Sequence, residues 1–276
     1  MSEDGRARKE TVAQIFDRAA SVYDQSGIFA YFGERLATLA QVAHGARVLD
    51  VATGRGAVLF PAAIRIGTQG HVCGIDLSAR MVQETGLEIK RRRLQNAKVV
   101  KMDAEALDFP DAGFDAVLCG FALSFFPRLE RGLAEFRRVL KPGGKIAVTT
   151  WGERDQRWTW YHDLLKTYLP SQTAEPRSTP FIFDKPNALR ATLTNAGFVD
   201  VQVQVEEKEF VYANPAAWWS SLWSCACRQP LEKMPPDALK KFQADVFEKI
   251  QMNQQADGIY QCFQAVFTFE TKPLNQ

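Results

Sequence analysis

The stretch RVLDVATGRG (residues 47–56) decides the fold. Its first half is a short apolar run typical of a buried strand, and a helix-like segment follows at 56–66. Small residues between the two let the backbone bend sharply and lie close to a ligand, with free N–H groups at the start of the helix. Alone, the turn is a weak signal, because any parallel sheet uses glycine between a strand and a helix.

The chain continues with alternating strand-like and helix-like segments. Helical spacing of apolar residues occurs at 78–95 and 129–140, and the segments 10–24 and 29–42 also predict amphipathic helices. Strands that alternate with helices predict a parallel sheet covered on both faces. The strand-like runs are RVLDVA (47–52), HVCGID (71–76), AKVVKM (97–102), FDAVLCG (114–120) and KIAVTTW (145–151).

The second half of the chain predicts the last two strands of this sheet. Residues 199–206 alternate between apolar and polar, which is typical of an edge strand. Residues 259–269 are apolar on both faces for much of their length, which suits an interior strand. We therefore expect the last strand to insert beside the run at 145–151, with its predecessor outside it.

The composition excludes several classes of protein. The 276 residues include 34 Lys and Arg and 32 Asp and Glu, so the net charge of +2 is too small to indicate a nucleic-acid partner. Fifteen of the 18 glycines lie before residue 151, whereas all six tryptophans lie from 151 onward. The first half is therefore rich in tight turns and the second half in large apolar surfaces.

The N-terminus and the cysteines predict a cytoplasmic protein. MSEDGRARKE (1–10) lacks the apolar region of a secretory signal, and no run approaches the roughly 18 apolar residues of a membrane span. Five scattered cysteines argue against a closed disulfide framework. Cys225 and Cys227 have no second pair or nearby histidine to complete a zinc site. We expect no bound metal and no integral membrane association.

Two carboxylates end the second and third predicted strands. Asp76 can accept hydrogen bonds from both hydroxyls of a ribose, and Asp103, followed by Ala104, can accept from the exocyclic amine of an adenine. Each alone is an ordinary strand-end carboxylate. Ligands bind at the carboxyl ends of the strands in open α/β sheets, so the carboxylates and the small-residue turn together indicate a nucleoside site.

With these features in place, the sequence resembles the class I S-adenosylmethionine-dependent methyltransferases. Within them it is similar to the ubiquinone/menaquinone-biosynthesis C-methyltransferases and their small-molecule relatives. The upstream segment IFDRAASVYD (15–24) resembles the helix that covers the cofactor in that family. The matching blocks, which are specific in this order, are VLDVATGRG (48–56), GIDLSARMV (74–82), MDAEALDFPDAGFDAV (102–117) and LAEFRRVLKPGGKIAVTTW (133–151).

The resemblance implies a fold and a division of the chain. The fold is α/β, a Rossmann-like, seven-stranded, mostly parallel sheet with an antiparallel last strand, plus N-terminal helices and a helical cap. We expect a single domain over residues 1–276. Its expected parts are cofactor-covering helices at 1–45, a cofactor-binding core at 46–151, cap insertions at 152–186 and 214–257, and the last helix and strands at 187–213 and 258–273.

The resemblance also implies S-adenosyl-L-methionine as cofactor and S-adenosyl-L-homocysteine as product. Tyr23 would close over the cofactor, and Ala52 stands where the family's first motif glycine is expected, a change of one methyl group that we expect binding to survive. Asp76 would hold the ribose diol. The implied cofactor-binding residues are Tyr23, Ala52, Gly54, Gly56, Asp76, Leu77, Met81, Asp103, Ala104, Cys119 and Gly120.

A nicotinamide-dependent oxidoreductase is the main rival for such a strand–turn–helix start. Its G-x-G-x-x-G fingerprint would need glycine at position 59, which is Leu59. In the other register, Ala52 and Ala57 stand where its first and last glycines belong. Neither register matches well, and the later blocks have no place in that family.

Methyl transfer from a sulfonium needs alignment and exclusion of water, without a metal or a covalent intermediate. An acidic acceptor atom would also benefit from a general base. His44 and His71 belong at the amino-end face of the sheet, whereas His162 follows the fifth strand at the cofactor edge. We take His162 as the candidate catalytic base, with an incidental histidine in an aromatic helix as the alternative. Glu153 and Tyr161 are weaker candidates.

Aromatic residues of the expected cap form the candidate acceptor site. Their large flat surfaces suit a small acceptor that is apolar, aromatic or isoprenoid-like, and the alternative is that they form the core of the cap. The candidate substrate-binding residues are Trp158, Tyr161, Trp218, Trp219 and Trp223, and Trp160, Phe181 and Phe183 lie in the same segments.

These features predict an enzyme that methylates a small, largely apolar metabolite on carbon, oxygen or nitrogen. The alternative is a cyclase or isomerase of natural-product biosynthesis that keeps the cofactor fold and does not methylate. A nucleic-acid or protein methyltransferase would show a basic groove or an appended domain. Arsenite methylation would need converging thiols, for which Cys225 and Cys227 are the candidates. Whether the protein forms a homo-oligomer is left open.

Overall fold

One mixed sheet organises the computed structural model, which describes residues 3–169, 183 and 185–274. Its strands are β1 (Arg47–Val51), β2 (His71–Asp76), β3 (Ala97–Lys101), β4 (Phe114–Gly120), β5 (Leu140–Arg154), β6 (Val199–Tyr212), β7 (Gln254–Gln255) and β8 (Gly258–Thr271). Their spatial order is β3-β2-β1-β4-β5-β8-β6, and the short β7 pairs with β8. Strands β1 to β5 pair in parallel, whereas β8 runs antiparallel to both of its long neighbours.

Helices occupy most of the connections between these strands. In the described part of the chain, none is long and apolar enough to cross a membrane. The helices are α1 (Glu3–Ala19), α2 (Ile28–Leu39), α3 (Leu59–Ile66), α4 (Ala79–Arg91), α5 (Leu129–Val139), α6 (Thr159–Tyr168), α7 (Pro186–Asn195), α8 (Pro215–Trp223), α9 (Arg228–Glu232) and α10 (Pro236–Lys249).

Both faces of the sheet are covered, because its interior strands are apolar on both sides. On one face, Phe32 of α2 and Leu59 of α3 belong to a buried cluster that includes Phe267 of β8. On the other face, Phe136 of α5 packs in a second cluster that includes Val266 of β8. Because the consecutive residues Val266 and Phe267 point to opposite faces, β8 is an interior strand, as the sequence predicts.

The predicted sheet is confirmed with one correction: the short β7, which pairs only with β8, makes eight strands where seven were expected. In addition, two strands are longer than their sequence patterns. Strand β6 continues to Tyr212, beyond the alternation that ends at residue 206, because its backbone remains paired with β8 as far as Ile259. The side chains Glu206 to Glu209 end the apolar alternation without ending the ladder. Strand β5 extends to Arg154 for the same reason, since its partner there is Phe263 of β8.

A smaller hydrophobic core lies in the cap formed by α6, α8, α9 and α10. Trp158, Trp218 and Phe242 are buried in it. Phe183 instead packs with the residues under α7. Residues 170–182 and 184, with the predicted acceptor residue Phe181, lie outside the described residues.

We expect Gly33→Ala to lower the free energy of unfolding by about 2 kcal/mol, since overpacking a close contact costs about 1–3 kcal/mol. An added Cβ on Gly33 in α2 would lie 2.5 Å from the backbone oxygen of Ala57, which cannot rotate away. Gly86→Ala in α4 is the matched control, because its Cβ would meet Val99 at an ordinary 3.6 Å. That variant should gain up to about 1 kcal/mol of helix stability. Urea unfolding followed by tryptophan fluorescence measures both, and equal effects would contradict the close packing at Gly33.

Candidate active site

A cavity lies at the carboxyl-end edge of β1 to β4, with α1 as one wall. This is the edge at which open α/β sheets bind their ligands. The cavity brings together most of the residues that the sequence predicts for the cofactor, which come from five separate segments. They are Tyr23, Ala52, Gly54, Asp76, Leu77, Asp103, Ala104 and Gly120.

The turn after β1 is held in an unusual backbone conformation. Ala52 and Gly54 have φ angles of +54° and +53°. This region costs a residue with a Cβ about 1–2 kcal/mol, so the surrounding contacts must compensate at Ala52. The Thr53 hydroxyl donates to Asp50 at 2.6 Å, and the Thr85 hydroxyl donates to the Gly54 carbonyl at 2.7 Å. These bonds fix the loop beside the cavity.

Asp76 is a buried carboxylate at the end of β2. Its two oxygens accept hydrogen bonds from the backbone N–H of Gly54 at 2.9 Å and of Ser78 at 2.8 Å. Burial raises its pKa to about 6, against the lowering effect of these hydrogen bonds. Each oxygen keeps a further lone pair, so the ionised side chain can accept from two hydroxyl groups.

Asp103 lies at the far side of the cavity and is bound by a lysine from α1. Lys9 Nζ is 2.7 Å from Asp103 Oδ2 and 2.6 Å from Glu105 Oε2. Glu105 is 1% exposed and also accepts from Arg128 Nε at 3.0 Å. Two carboxylates and two cations thus meet in one group, of which Lys9 and Glu105 are buried and Asp103 and Arg128 are partly exposed.

Aromatic side chains line the part of the cavity near β4 and β5. The rings of Phe121 and Trp151 stack with their centroids 4.1 Å apart, and Phe29 meets each of them edge-on at 5.7 Å. Tyr23 stacks on Phe29 at 5.1 Å. We call these four residues the aromatic wall. It presents large flat apolar surfaces next to the predicted cofactor residues.

Known proteins share the sequence of this chain over much of its length. Residues 48–144 match a family model described as a methyltransferase domain. The chain is 41% identical over 144 residues to aklanonic acid methyltransferase DauC of Streptomyces sp. (strain C5), across 51% of this chain and 66% of that relative. It is 33% identical over 238 residues to nocamycin O-methyltransferase of Saccharothrix syringae, across 81% of this chain and 85% of that relative. The chain belongs to the class I S-adenosylmethionine-dependent methyltransferases.

The fold of this methyltransferase agrees with that of solved relatives. A SAM-dependent methyltransferase from Aquifex aeolicus superposes with a TM-score of 0.55 at 18% identity, over 92% of this chain and 97% of that one. Because the chain belongs to this family, S-adenosylmethionine is its cofactor. The cavity fits it, because Asp76 offers a carboxylate to a diol and Gly54 leaves space to the Tyr23 ring, where an added Cβ would lie 3.8 Å away.

Three of the residues predicted to bind the cofactor do not line the cavity. Met81 and Cys119 are fully buried in the methyltransferase core, and burial raises the pKa of the Cys119 thiol well above its usual range. Gly56 faces the Phe60 ring, at which an added Cβ would come within 2.5 Å. These residues support the loops behind the site.

The structure does not bring His162 to the cavity. It lies with Glu153 in a recess beside β5 and β8, on the other side of Trp151, a residue that lines both the recess and the cavity. Burial, together with the charge of Arg154, lowers the pKa of His162 to about 4. The predicted role of His162 as a base therefore has no support from its position, and Glu153 and Tyr161 are likewise absent from the described lining of the cavity.

The tryptophans predicted to bind the acceptor pack within the cap. Trp158 and Trp218 stack at 4.8 Å, and their indole N–H groups donate to the Tyr260 carbonyl at 3.0 Å and to the Gln261 side chain at 2.9 Å. Tyr161 and Trp219 are buried beside them, and Trp223 lies near the guanidinium of Arg228. None of these five lines the described cavity wall, which supports the alternative that they form the core of the cap.

Sequence reasoning missed most of the aromatic wall and Lys9. Phe121 and Trp151 could have been found, because Phe121 directly follows β4 and Trp151 is the last residue of the apolar run at 145–151, both toward the ligand-binding edge. Phe29 and Lys9 lie on helices far along the chain from their partners, and no local pattern marks them. Cys225 also lines the cavity. It lies at the edge of the cap, beyond the reach of any motif.

We expect Asp76→Asn to weaken binding of S-adenosylhomocysteine by at least about tenfold, since hydrogen bonds to a charged group contribute about 1.5–3 kcal/mol. Because the pKa of Asp76 is raised to about 6, wild-type affinity should fall as the pH drops below that value and the carboxylate takes up a proton. Titration calorimetry between pH 5 and pH 8 measures both effects. The Asn variant should lack this step in its pH profile.

The matched control is Asp111→Asn, which neutralises an exposed carboxylate paired with Arg138 outside the cavity. It should keep both the affinity and the pH profile of the wild type. An Asp76→Asn variant with wild-type affinity would show that this carboxylate does not hold the ribose.

Proposed function

We propose that this methyltransferase methylates a small, planar and largely apolar metabolite held against the aromatic wall. The observation that carries this proposal is the stacking of Phe121 on Trp151 beside the turn of Ala52 and Gly54. Flat rings favour offset-stacked or edge-on contacts with another flat ring, which supports an aromatic or quinone-like acceptor. The relatives named for aklanonic acid and nocamycin are consistent with a small-molecule substrate.

The same proposal assigns cofactor roles to the residues in the cavity. Asp76 accepts hydrogen bonds from the ribose hydroxyls, and Asp103 with Ala104 faces the adenine. The backbone of Gly54 and Gly120 lies along the methionine part. Leu77 covers the nucleoside and Tyr23 closes the site from the N-terminal side; both assignments rest on the positions of these residues in the cavity wall.

When bound, S-adenosylmethionine supplies an electrophilic methyl group on a sulfonium sulfur, and the sulfur keeps the electron pair of the broken C–S bond and leaves as a neutral thioether. The residues of the chain need only align the acceptor with that methyl group and exclude water. Alignment of this kind contributes about 7–11 kcal/mol to catalysis. The aromatic wall performs both tasks in this proposal, because its rings form an apolar surface with a fixed orientation.

The ionisable groups near the aromatic wall favour an acceptor that is already nucleophilic. Burial raises the pKa of Tyr23 well above its usual value, and the hydrogen bond with Cys227 raises the pKa of Cys225. Both side chains therefore stay protonated near neutral pH. We infer that an acceptor atom that carries a proton loses it to a water molecule of the solvent before the acceptor is enclosed against the aromatic wall.

The protein works in the cytoplasm in this proposal, since its five cysteines are all free thiols. The cyclase or isomerase alternative is not favoured, because the relatives are named methyltransferases. Mass spectrometry of reactions with planar phenols, quinols and enolic acceptors separates the two. Formation of S-adenosylhomocysteine supports methylation, and conversion of an acceptor without it would support the alternative.

Phe121→Leu should raise the KM for the acceptor about tenfold, because it removes one flat face of the aromatic wall, and a ring pair contributes about 0.5–1.5 kcal/mol. Affinity for S-adenosylhomocysteine should stay unchanged. Phe109→Leu is the matched control. The Phe109 ring packs edge-on against Phe114, with the ring centroids 5.1 Å apart, and it does not line the cavity. Steady-state kinetics with an acceptor found in the screen measures the difference. Equal KM values in the two variants would argue against acceptor binding at the wall.

His162→Ala should leave turnover unchanged, because the imidazole lies in a recess outside the cavity. Initial rates at saturating cofactor and acceptor measure this. A large loss of turnover in a folded variant that still binds S-adenosylhomocysteine would restore His162 as a base and require the cap to move toward the cofactor.

A further inference from the structure

Lys9 is a buried cation on α1 whose partners come from the loop after β3. It is 8% exposed, and its ammonium lies within 2.7 Å of both Asp103 and Glu105. It also lines the cavity. Burying a lysine costs its ammonium hydration and its side chain rotational freedom. An ordinary surface ion pair would not offset that cost, so we asked what its two carboxylate contacts do.

The two carboxylates depend on Lys9 to different degrees. Glu105 already accepts from the Arg128 backbone N–H at 2.8 Å and from its Nε at 3.0 Å. On Asp103, Oδ1 accepts from the Glu105 backbone N–H at 2.9 Å, and Oδ2 accepts from Lys9. Among the described residues, Lys9 is therefore the group that fixes the orientation of Asp103 Oδ2.

The charges make this contact important for a ligand at Asp103. Glu105 is a second negative charge bound to the same ammonium, and without Lys9 the two carboxylates would repel each other. The oxygens of a carboxylate only accept hydrogen bonds, which suits an exocyclic amine and opposes a carbonyl oxygen in the same place. An adenine presents the amine there, whereas a hypoxanthine presents the carbonyl.

Helix α1 is tied to the cofactor edge at a second point. Asp17 accepts hydrogen bonds from the Ser78 hydroxyl at 2.5 Å and from the Arg80 backbone N–H at 3.0 Å. Ser78 is also the residue whose N–H donates to Asp76. These two anchors of α1 lie next to the carboxylates Asp76 and Asp103 that we assign to the cofactor, so Lys9 reaches Asp103 when α1 is docked.

We propose that Lys9 is a positioning residue for adenine recognition, which holds the Asp103 carboxylate in place for the exocyclic amine of the cofactor. This inference rests on the proposed assignment of Asp103 to the adenine. Docking of α1 and selection of adenine over other bases are then coupled, because the Lys9 ammonium both attaches α1 to the loop after β3 and orients Asp103. Lys9 acts through Asp103 and does not itself touch the reacting atoms.

The test compares S-adenosylhomocysteine with its hypoxanthine analogue, S-inosylhomocysteine, by titration calorimetry on the full chain. The wild type should bind the adenine form more tightly. Lys9→Met keeps a chain of similar length without the charge. It should weaken the adenine form about tenfold and the hypoxanthine form much less, so the ratio of the two affinities falls toward one.

Arg18→Met is the matched control, because Arg18 lies on the same helix and its ion pair with Glu232 at 2.7 Å is outside the cavity. It should leave both affinities unchanged. Asp103→Asn supplies a second test that does not depend on how α1 docks. If Lys9 acts through Asp103, adding Lys9→Met to Asp103→Asn should cause little further loss.

Three results would overturn the inference. The first is a Lys9→Met variant that binds both ligands with wild-type affinity. The second is a Lys9→Met variant that loses equal affinity for both ligands, with a loss that adds fully to that of Asp103→Asn, because this pattern would mean that Lys9 only docks α1. A wild type that binds S-adenosylhomocysteine with no preference over the hypoxanthine form would remove the adenine assignment of Asp103 and the role of Lys9 with it. Binding of neither ligand by the wild type would instead contradict the cofactor site as a whole. Thermal unfolding of each variant checks that a lost affinity is not a lost fold.

Discussion

The buried carboxylate of Asp76 is the interaction on which the ligand-binding edge depends. Its oxygens accept from the turn after β1 through Gly54 and from the start of α4 through Ser78. Ser78 in turn bonds Asp17 of α1. A single side chain thereby joins two strand ends, the helix that follows and the covering helix. Moving it would displace the turn after β1 and the start of α4 together.

The same edge carries a cost in stability. Asp50 and Asp76 are both buried, and burial raises their pKa values to about 7 and about 6. Ionised carboxylates are poorly solvated there, so the fold tolerates them only because backbone N–H groups and the Thr53 hydroxyl are aimed at them. The left-handed backbone at Ala52 adds strain at the same turn. Strain and buried carboxylates thus gather at the turn beside the cavity, as is common at functional sites.

The sheet could be predicted from the sequence almost completely, because it is set by local patterns. Apolar runs and turn residues locate each strand, and the two-sided apolar pattern of β8 places it in the interior. The strand-end carboxylates could be predicted for the same reason, since every parallel strand delivers its last residue to one edge. Where the backbone continued to pair after the pattern ended, as in β6, the prediction stopped short.

The acceptor side could not be predicted in this way, because a tryptophan in a core and a tryptophan in a binding site look alike in a sequence. Trp158 and Trp218 satisfy their indole N–H groups inside the cap, a fact visible only in three dimensions. Phe29 and Lys9 are brought to the site by the docking of whole helices. Such contacts depend on how the helices pack in three dimensions. The spacing of residues along one helix does not indicate which element that helix packs against.

The interior position of β8 has a consequence for how the protein folds during its synthesis. Strands β1 to β5 and β6 are all synthesised before residues 258–271, yet β8 lies between β5 and β6 and separates them. Until β8 arrives, the nascent sheet ends at β5 with an unpaired edge, and β6 has no long strand to join. Such an edge is a template for unwanted pairing with other chains. A chain that stalls before Gly258 would therefore carry the strands that line the cavity on a sheet whose β5 edge is still exposed.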